Sequence, residues 1–151
     1  MQTITDSKHP LLNWVVMVVD DEPDSRDVAQ MMLELAGAAV HTAEDGRQAL
    51  DLIKGQHVRP DFILSDLSMP VMDGWQLMYH LTDNRATSEI PVIALTAHAM
   101  RGDRDRALAA GFRNHITKPL DASKFMDELL RILIDIPEFE RAFADAKAPS
   151  A

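Results

Sequence analysis

Four short apolar runs in this chain each end in an acid, a hydroxyl or an ammonium. Val15-Val16-Met17-Val18-Val19 leads into Asp20-Asp21, Phe62-Ile63-Leu64-Ser65 into Asp66, Val92-Ile93-Ala94-Leu95 into Thr96, and His115-Ile116-Thr117 into Lys118-Pro119. Runs this short, rich in Val and Ile and bounded by Gly, Pro and Asp, read as strands buried on both faces. Helix-length amphipathic stretches separate them, and this alternation predicts a parallel sheet. In such a sheet every strand points its carboxyl end the same way, and ligands bind at that edge. Side chains scattered along the sequence therefore converge on one crevice.

The first strand is expected at 14–19. Glu22-Pro23 opens a helix, with Pro at a tolerated first-turn position. Val28, Met31, Met32 and Leu35 are expected to form its buried face, and Gly37 to stop it. A second strand spans 39–42, and a second helix runs from Asp45-Gly46 to near Gly55. The third strand ends at Asp66, and an irregular loop through Gly74 leads to a helix over 75–81. The fourth helix covers 101–110, the fifth strand 114–117, and the last helix runs from near Asp121 to about Ile134, with Phe125, Leu129, Leu130 and Leu133 on one face. Pro137 breaks it. Trp14 and Trp75 read as packing residues, and the arginines at 101, 104 and 106 as a solvated helix face. The predicted architecture is α/β: a flavodoxin-like, doubly wound, five-stranded parallel sheet of order 2-1-3-4-5 with five helices. Residues 1–13 are expected to be a flexible leader, 14–136 the domain, and 137–151 a tail that is a short helix or disordered.

Composition narrows the function. The net charge of -9 argues against a general nucleic-acid binder and leaves room for a basic partner. Without cysteine there is no disulfide, thiol catalysis or cysteine-bound zinc. The N-terminus lacks a signal-peptide pattern, and no apolar stretch is long enough to span a bilayer, so a cytoplasmic protein is expected.

Asp20, Asp21 and Asp66 would crowd one edge of the sheet. Two carboxylates about 4 Å apart repel by roughly 4 kcal/mol at an effective dielectric near 20. Lys118 supplies one positive charge against three negative ones. A divalent cation completes the site, and an all-oxygen ligand set favours Mg²⁺ or Mn²⁺ over zinc. A carboxylate beside such a metal can attack a phosphoryl group and become an aspartyl phosphate. Asp66 stands alone at the end of the central strand, opposite the metal-holding pair, and is assigned as the nucleophile. Thr96 can donate a hydrogen bond to a phosphoryl oxygen, and Lys118 can pair with Asp66 and then with the phosphate.

The pieces Val18-Val19-Asp20-Asp21-Glu22-Pro23, Asp66-Leu67-Ser68-Met69-Pro70-Val71-Met72-Asp73-Gly74, Ala94-Leu95-Thr96-Ala97 and Lys118-Pro119-Leu120 resemble, in order, the response-regulator receiver domain of two-component signalling. The resemblance covers about 14–135. It implies that Asp66 accepts phosphate from a phosphohistidine on a histidine kinase or phosphotransfer protein. It implies that Asp21, Asp66 and the backbone carbonyl of Ser68 bind Mg²⁺ directly, with Asp20 acting through water. It implies a cis Lys118-Pro119 bond, phosphate-binding and switch roles for Thr96, Ala97, Lys118 and His115, and tuning of dephosphorylation by Ser68 and His98. His115 departs from the family, where Tyr or Phe is more usual. An imidazole there would make partner affinity respond to pH between 6 and 8. Output would pass through the face of the fourth helix, fifth strand and fifth helix, in a monomer or weak dimer.

Two other classes use similar parts. A haloacid-dehalogenase-like phosphatase also forms an aspartyl phosphate but needs a general acid two positions after the nucleophile, where Ser68 stands. A flavodoxin-like electron carrier needs a Ser/Thr/Gly-rich phosphate loop after the first strand, where Asp20-Asp21-Glu22 would repel a flavin phosphate. No helix-turn-helix or enzymatic domain follows Ile136, so the expectation is a stand-alone regulator or a module of a hybrid kinase.

Overall fold

The apolar runs are continuous because alternate residues feed two separate cores. The computed structural model describes residues 8–97 and 101–143. Its strands are β1 (Val15–Val19), β2 (Ala39–Ala43), β3 (Phe62–Asp66), β4 (Val92–Thr96) and β5 (Asn114–Thr117). They form one parallel sheet in the order β2-β1-β3-β4-β5, a flavodoxin-like arrangement. The helices are α1 (Pro23–Leu35), α2 (Gly46–Gly55), α3 (Gly74–Thr82), α4 (Arg101–Ala110) and α5 (Phe125–Ile134). Val16, Val18, Phe62, Leu64, Ile93 and Leu95 pack with Leu33 of α1 and Phe125, Leu129 and Leu133 of α5. Met17, Val19, Ile63, Val92 and Ala94 face the other way, onto Ile53 of α2, Leu77 and Leu81 of α3, and Ala107 of α4. Covering both faces is what lets a parallel sheet dispense with polar alternation.

Local chemistry sets the helix starts. Asp45 accepts the Gln48 N–H at 2.9 Å, an N-cap for α2. Asp73 and Gln76 form a reciprocal capping box on α3, 2.8 Å and 3.0 Å. The fifth helix begins four residues later than the sequence suggests. Asp121 directs its carboxylate at the Ser123 N–H and hydroxyl, 2.9 Å and 2.6 Å away, and this local turn delays regular helix to Phe125.

The buried stripe of α1 is also displaced. Ala29 and Leu33 are the fully buried positions, whereas Met31 and Leu35 are about half and two-thirds exposed. A small residue at 29 lets the helix lie close to the sheet, and the stripe rotates accordingly. Parts of the expected leader and tail pack against the domain. Leu11 is fully buried and its N–H donates to the Ala36 carbonyl at 2.9 Å. A 3-10 turn, Pro137–Phe139, folds the chain back under the sheet. Phe139 and Phe143 close on Trp14 at centroid distances of 5.0 Å and 5.7 Å, with Phe62 at 6.0 Å. Arg113 and Glu138 form an ion pair that ties this turn to the start of β5 (Nη1 to Oε1, 2.9 Å). Residues 1–7 and 144–151 of the expected leader and tail lie outside the described residues.

This aromatic plug is a part of the core. Phe139→Ala should cost about 3 kcal/mol of unfolding free energy, read from the shift in urea midpoint at unchanged slope. A loss below about 1 kcal/mol would mean that the turn merely covers an already complete core.

Candidate active site at the carboxyl edge of the sheet

β1 and β3 are neighbours in register, with Val19 beside Ser65, so Asp20 and Asp66 leave the sheet side by side. Asp20, Asp21 and Asp66 each offer a carboxylate oxygen, and these oxygens lie within 4.8 Å of one another. Asp20 is fully buried and Asp66 nearly so, whereas Asp21 is exposed. β4 and β5 place Thr96 opposite Thr117, and the Lys118 N–H donates to the Thr96 carbonyl at 2.7 Å. The Lys118-Pro119 bond is cis. From there the buried Lys118 ammonium reaches Asp66 Oδ2 at 2.9 Å, Asp20 Oδ1 at 3.1 Å and Glu22 Oε1 at 3.0 Å. Sequence reasoning had placed Glu22 only at a helix start; its role as a third acid on Lys118 depends on the turn into α1.

These contacts have electrostatic consequences. Burial pushes the Asp20 carboxyl up to about 6, despite the Glu22 N–H and Lys118 that favour its charge. Burial alone would lower Lys118, but its hydrogen bonds to Asp66, Glu22 and Asp20 outweigh that and hold it above its ordinary value. Asp20 Oδ2 is buried, and although Lys118 Nζ lies 3.0 Å away it accepts no hydrogen bond of good geometry. An unsatisfied buried carboxylate oxygen beside two more carboxylates suits a hard divalent cation with oxygen ligands.

The loop after β3 is held tightly. The Ser68 N–H donates to Asp66 Oδ1 at 3.3 Å. Gly74 packs directly on the Asp66 backbone: a Cβ there would run into the Asp66 carbonyl oxygen and would lie 2.9 Å from Leu67 Cα. Close approach, not a left-handed turn, is the reason for glycine at this position. Between them the Met72 N–H donates to the Pro70 carbonyl at 2.7 Å around Val71, whose φ is +66°, a strained tight turn for a β-branched residue.

These residues border an open cleft of about 580 Å³ whose lining includes Asp21, Asp66, Ser68, Thr96, Ala97 and Lys118. Trp75 and Arg106 also line it, which neither the packing nor the solvated-face reading foresaw. His115 is half-buried and lies behind Thr96, on a void of about 10 Å³ shared with Asp103, Arg104 and Ala107 of α4. That is room for little more than one water. His98 and the Arg101 side chain lie outside the described residues.

Two predictions follow from the charges. The raised Asp20 carboxyl binds its proton more tightly folded than unfolded, so its contribution to stability is present below pH 4 and lost as pH rises through about 6. Metal-free Asp20→Asn should therefore be more stable than the parent at pH 7 by about 1–2 kcal/mol, with the gap closing towards pH 4, in paired thermal melts. A gap that is constant across this range would exclude Asp20 as its source. His115 is lowered from 6.5, by burial and then by Arg104. Its ring should be neutral at pH 7 and titrate below 6.5, which moves the pH-sensitive window down from the expected 6–8. Proton NMR of the imidazole checks this, and a midpoint above 6.5 would contradict it.

Comparison with known proteins agrees with this geometry. Residues 16–130 match the family model described as the response regulator receiver domain. The polar-differentiation response regulator DivK of Brucella ovis is 33% identical over 120 residues, 80% of this chain and 96% of DivK. The chemotaxis response regulator CheY4 of Vibrio cholerae superposes with a TM-score of 0.72 at 31% identity, covering 80% of this chain and 98% of CheY4. The receiver domain of the sensor histidine kinase PA1611 from Pseudomonas aeruginosa, solved with magnesium in its active-site cleft, gives a TM-score of 0.67 at 32% identity over 79% of this chain and 96% of that one. With acid pair, central aspartate, hydroxyl and lysine each at the end of its own strand, the chain belongs to the response-regulator receiver domain family of two-component signalling.

Proposed function

We propose that Asp66 is a reversible phosphoacceptor, taking a phosphoryl group from a phosphohistidine on a histidine kinase or histidine phosphotransfer protein. The observation that carries this is the Asp66 carboxylate, hydrogen-bonded to Lys118 at 2.9 Å and gathered with Asp20 and Asp21 at the mouth of a cleft. Asp21, Asp66 and the Ser68 carbonyl would hold Mg²⁺ or Mn²⁺, with Asp20 acting through water; the magnesium in the similar PA1611 receiver supports this set. Bound there, the ion would neutralise charge on the phosphoryl oxygens. Lys118 then exchanges carboxylate partners for phosphate oxygens, and Thr96 donates its hydroxyl to another. Ala97 follows Thr96 at the cleft wall, and Ser68, also on that wall, would tune the access of hydrolytic water.

The chain switches rather than turns over substrate. Phosphate adds about 1.5–2 negative charges. The output is a change in the face of α4, β5 and α5, which meets a downstream protein. His115 shares its void with Thr96 and with α4, so movement of Thr96 towards phosphate would open space for His115 to rotate inward against α4. We place the protein in the cytoplasm, as a monomer or weak dimer; among the described residues no helix is long and apolar enough to cross a membrane. The phosphatase alternative lacks its general acid at Ser68 and gains no support from the family match.

Incubation with acetyl phosphate and Mg²⁺ should add one phosphate to the intact mass, and Asp66→Ala should abolish the gain. An unmodified parent, or an equally modified Asp66→Ala, would reject the assignment. Sustained multiple turnover of phosphoesters would favour the phosphatase reading.

A further inference from the structure

The cleft runs from the acid cluster to α3 and α4 and is open to solvent, with a volume of about 580 Å³. Trp75 and Arg106 line this cleft together with Asp66 and Lys118. The Arg106 guanidinium lies over the Trp75 ring, with Cζ 4.2 Å from the ring centroid. Phe112 braces the same indole edge-on, at 5.7 Å and 86°. Lys118 is spoken for by three carboxylates, whereas Arg106 makes no salt bridge among the described residues. Its charge is thus positioned by stacking but not neutralised by a partner acid; Asp73 and Asp103 are other acids on the cleft wall.

We propose that Trp75 and Arg106 form a subsite for the carboxylate leaving group of a small acyl phosphate, making Arg106 a specificity-determining residue for phosphorylation of Asp66. The proposal rests on Asp66 being the phosphoacceptor. In the transfer, an Asp66 carboxylate oxygen forms a bond to phosphorus. The bond from phosphorus to the acyl oxygen breaks, and its electron pair departs on the donor's carboxylate. Reactant and product are both mixed carboxylic–phosphoric anhydrides, so the exchange is near balance and needs no co-reactant. No proton changes hands, which suits a site with Ser68 where a general acid would stand. In-line displacement sends the leaving oxygen away from Asp66, into the cleft whose wall includes Trp75 and Arg106. A planar guanidinium matches the departing carboxylate with paired hydrogen bonds. A nitrogen leaving group, which departs neutral after taking a proton, gains nothing from it.

The test compares acetyl phosphate with phosphoramidate as donors to the full chain in saturating Mg²⁺, with second-order rate constants from intact mass. Arg106→Gln should slow acetyl phosphate about three- to tenfold and leave phosphoramidate within about twofold, with Arg106→Lys between parent and Gln. Equal losses with both donors would mean that Arg106 only braces α4 against α3, and would overturn the subsite, as would no loss with either. If the parent takes phosphate from neither donor, the phosphoacceptor reading fails instead.

Discussion

One ammonium held among three carboxylates organises the functional edge of this protein. Lys118 lies about 3 Å from Asp20, Glu22 and Asp66, contacts that join β1, the start of α1, β3 and the turn after β5. Each acid comes from a segment that would repel the others without it. The pairing remains incomplete, because one charge cannot satisfy three, and burial, with a smaller push from Asp66, raises the Asp20 carboxyl to about 6 despite Lys118. The sheet core holds these groups together against that repulsion. Functional sites in stable folds are often held this way, with stability supplied elsewhere in the domain. Here it comes from two apolar layers and an aromatic plug at the opposite end of the strands.

The strands and the site were legible in the sequence for the same reason. Burial on both faces writes a parallel strand as an unbroken apolar run, and the first polar residue after such a run marks the carboxyl edge. Asp20, Asp66 and Thr96 stand at such breaks, and Lys118 follows the short, more polar β5. What escaped notice depended on rotation or on distant partners. Along α1, Val28, Met31, Met32 and Leu35 fit an amphipathic stripe, but Ala29 and Leu33 permit closer approach to the sheet and take the buried side. Phe139 and Phe143 sit in a polar, Ala-rich stretch with no period, and only the position of Trp14 at the foot of β1 gives them a place. Gly74 answers to the Asp66 carbonyl pressed against it, a contact that no local sequence pattern reveals.

The same logic separates rigid from yielding parts of the site. The loop after Asp66 is fixed by the Ser68 N–H, the strained turn at Val71 and the α3 capping box. Strain of this kind persists only where neighbouring contacts over-determine it. On the other wall, α4 contributes Ala107 to the core, while Arg104, Arg106 and Leu108 are exposed. Its link to α3 includes the stack of Arg106 on Trp75. A rigid acceptor facing a lightly anchored helix is the arrangement a switch requires.

The energetic demand on that switch is specific. Reversing a population from 1:99 to 99:1 takes roughly 5.5 kcal/mol of differential binding. Charge alone is a poor source, since Lys118 already has its carboxylates and would only trade them for phosphate oxygens. Most of the difference must come from interactions that exist in one arrangement only. On the proposed function Thr96 would be one, because its hydroxyl would meet a phosphoryl oxygen only after phosphorylation. The space behind it is another. A void of about 10 Å³ beside His115 cannot accept a larger displacement without moving Arg104 and Ala107. Small motion at a phosphorylated Asp66 would thereby be converted into motion of α4, through packing that has little room for intermediate positions.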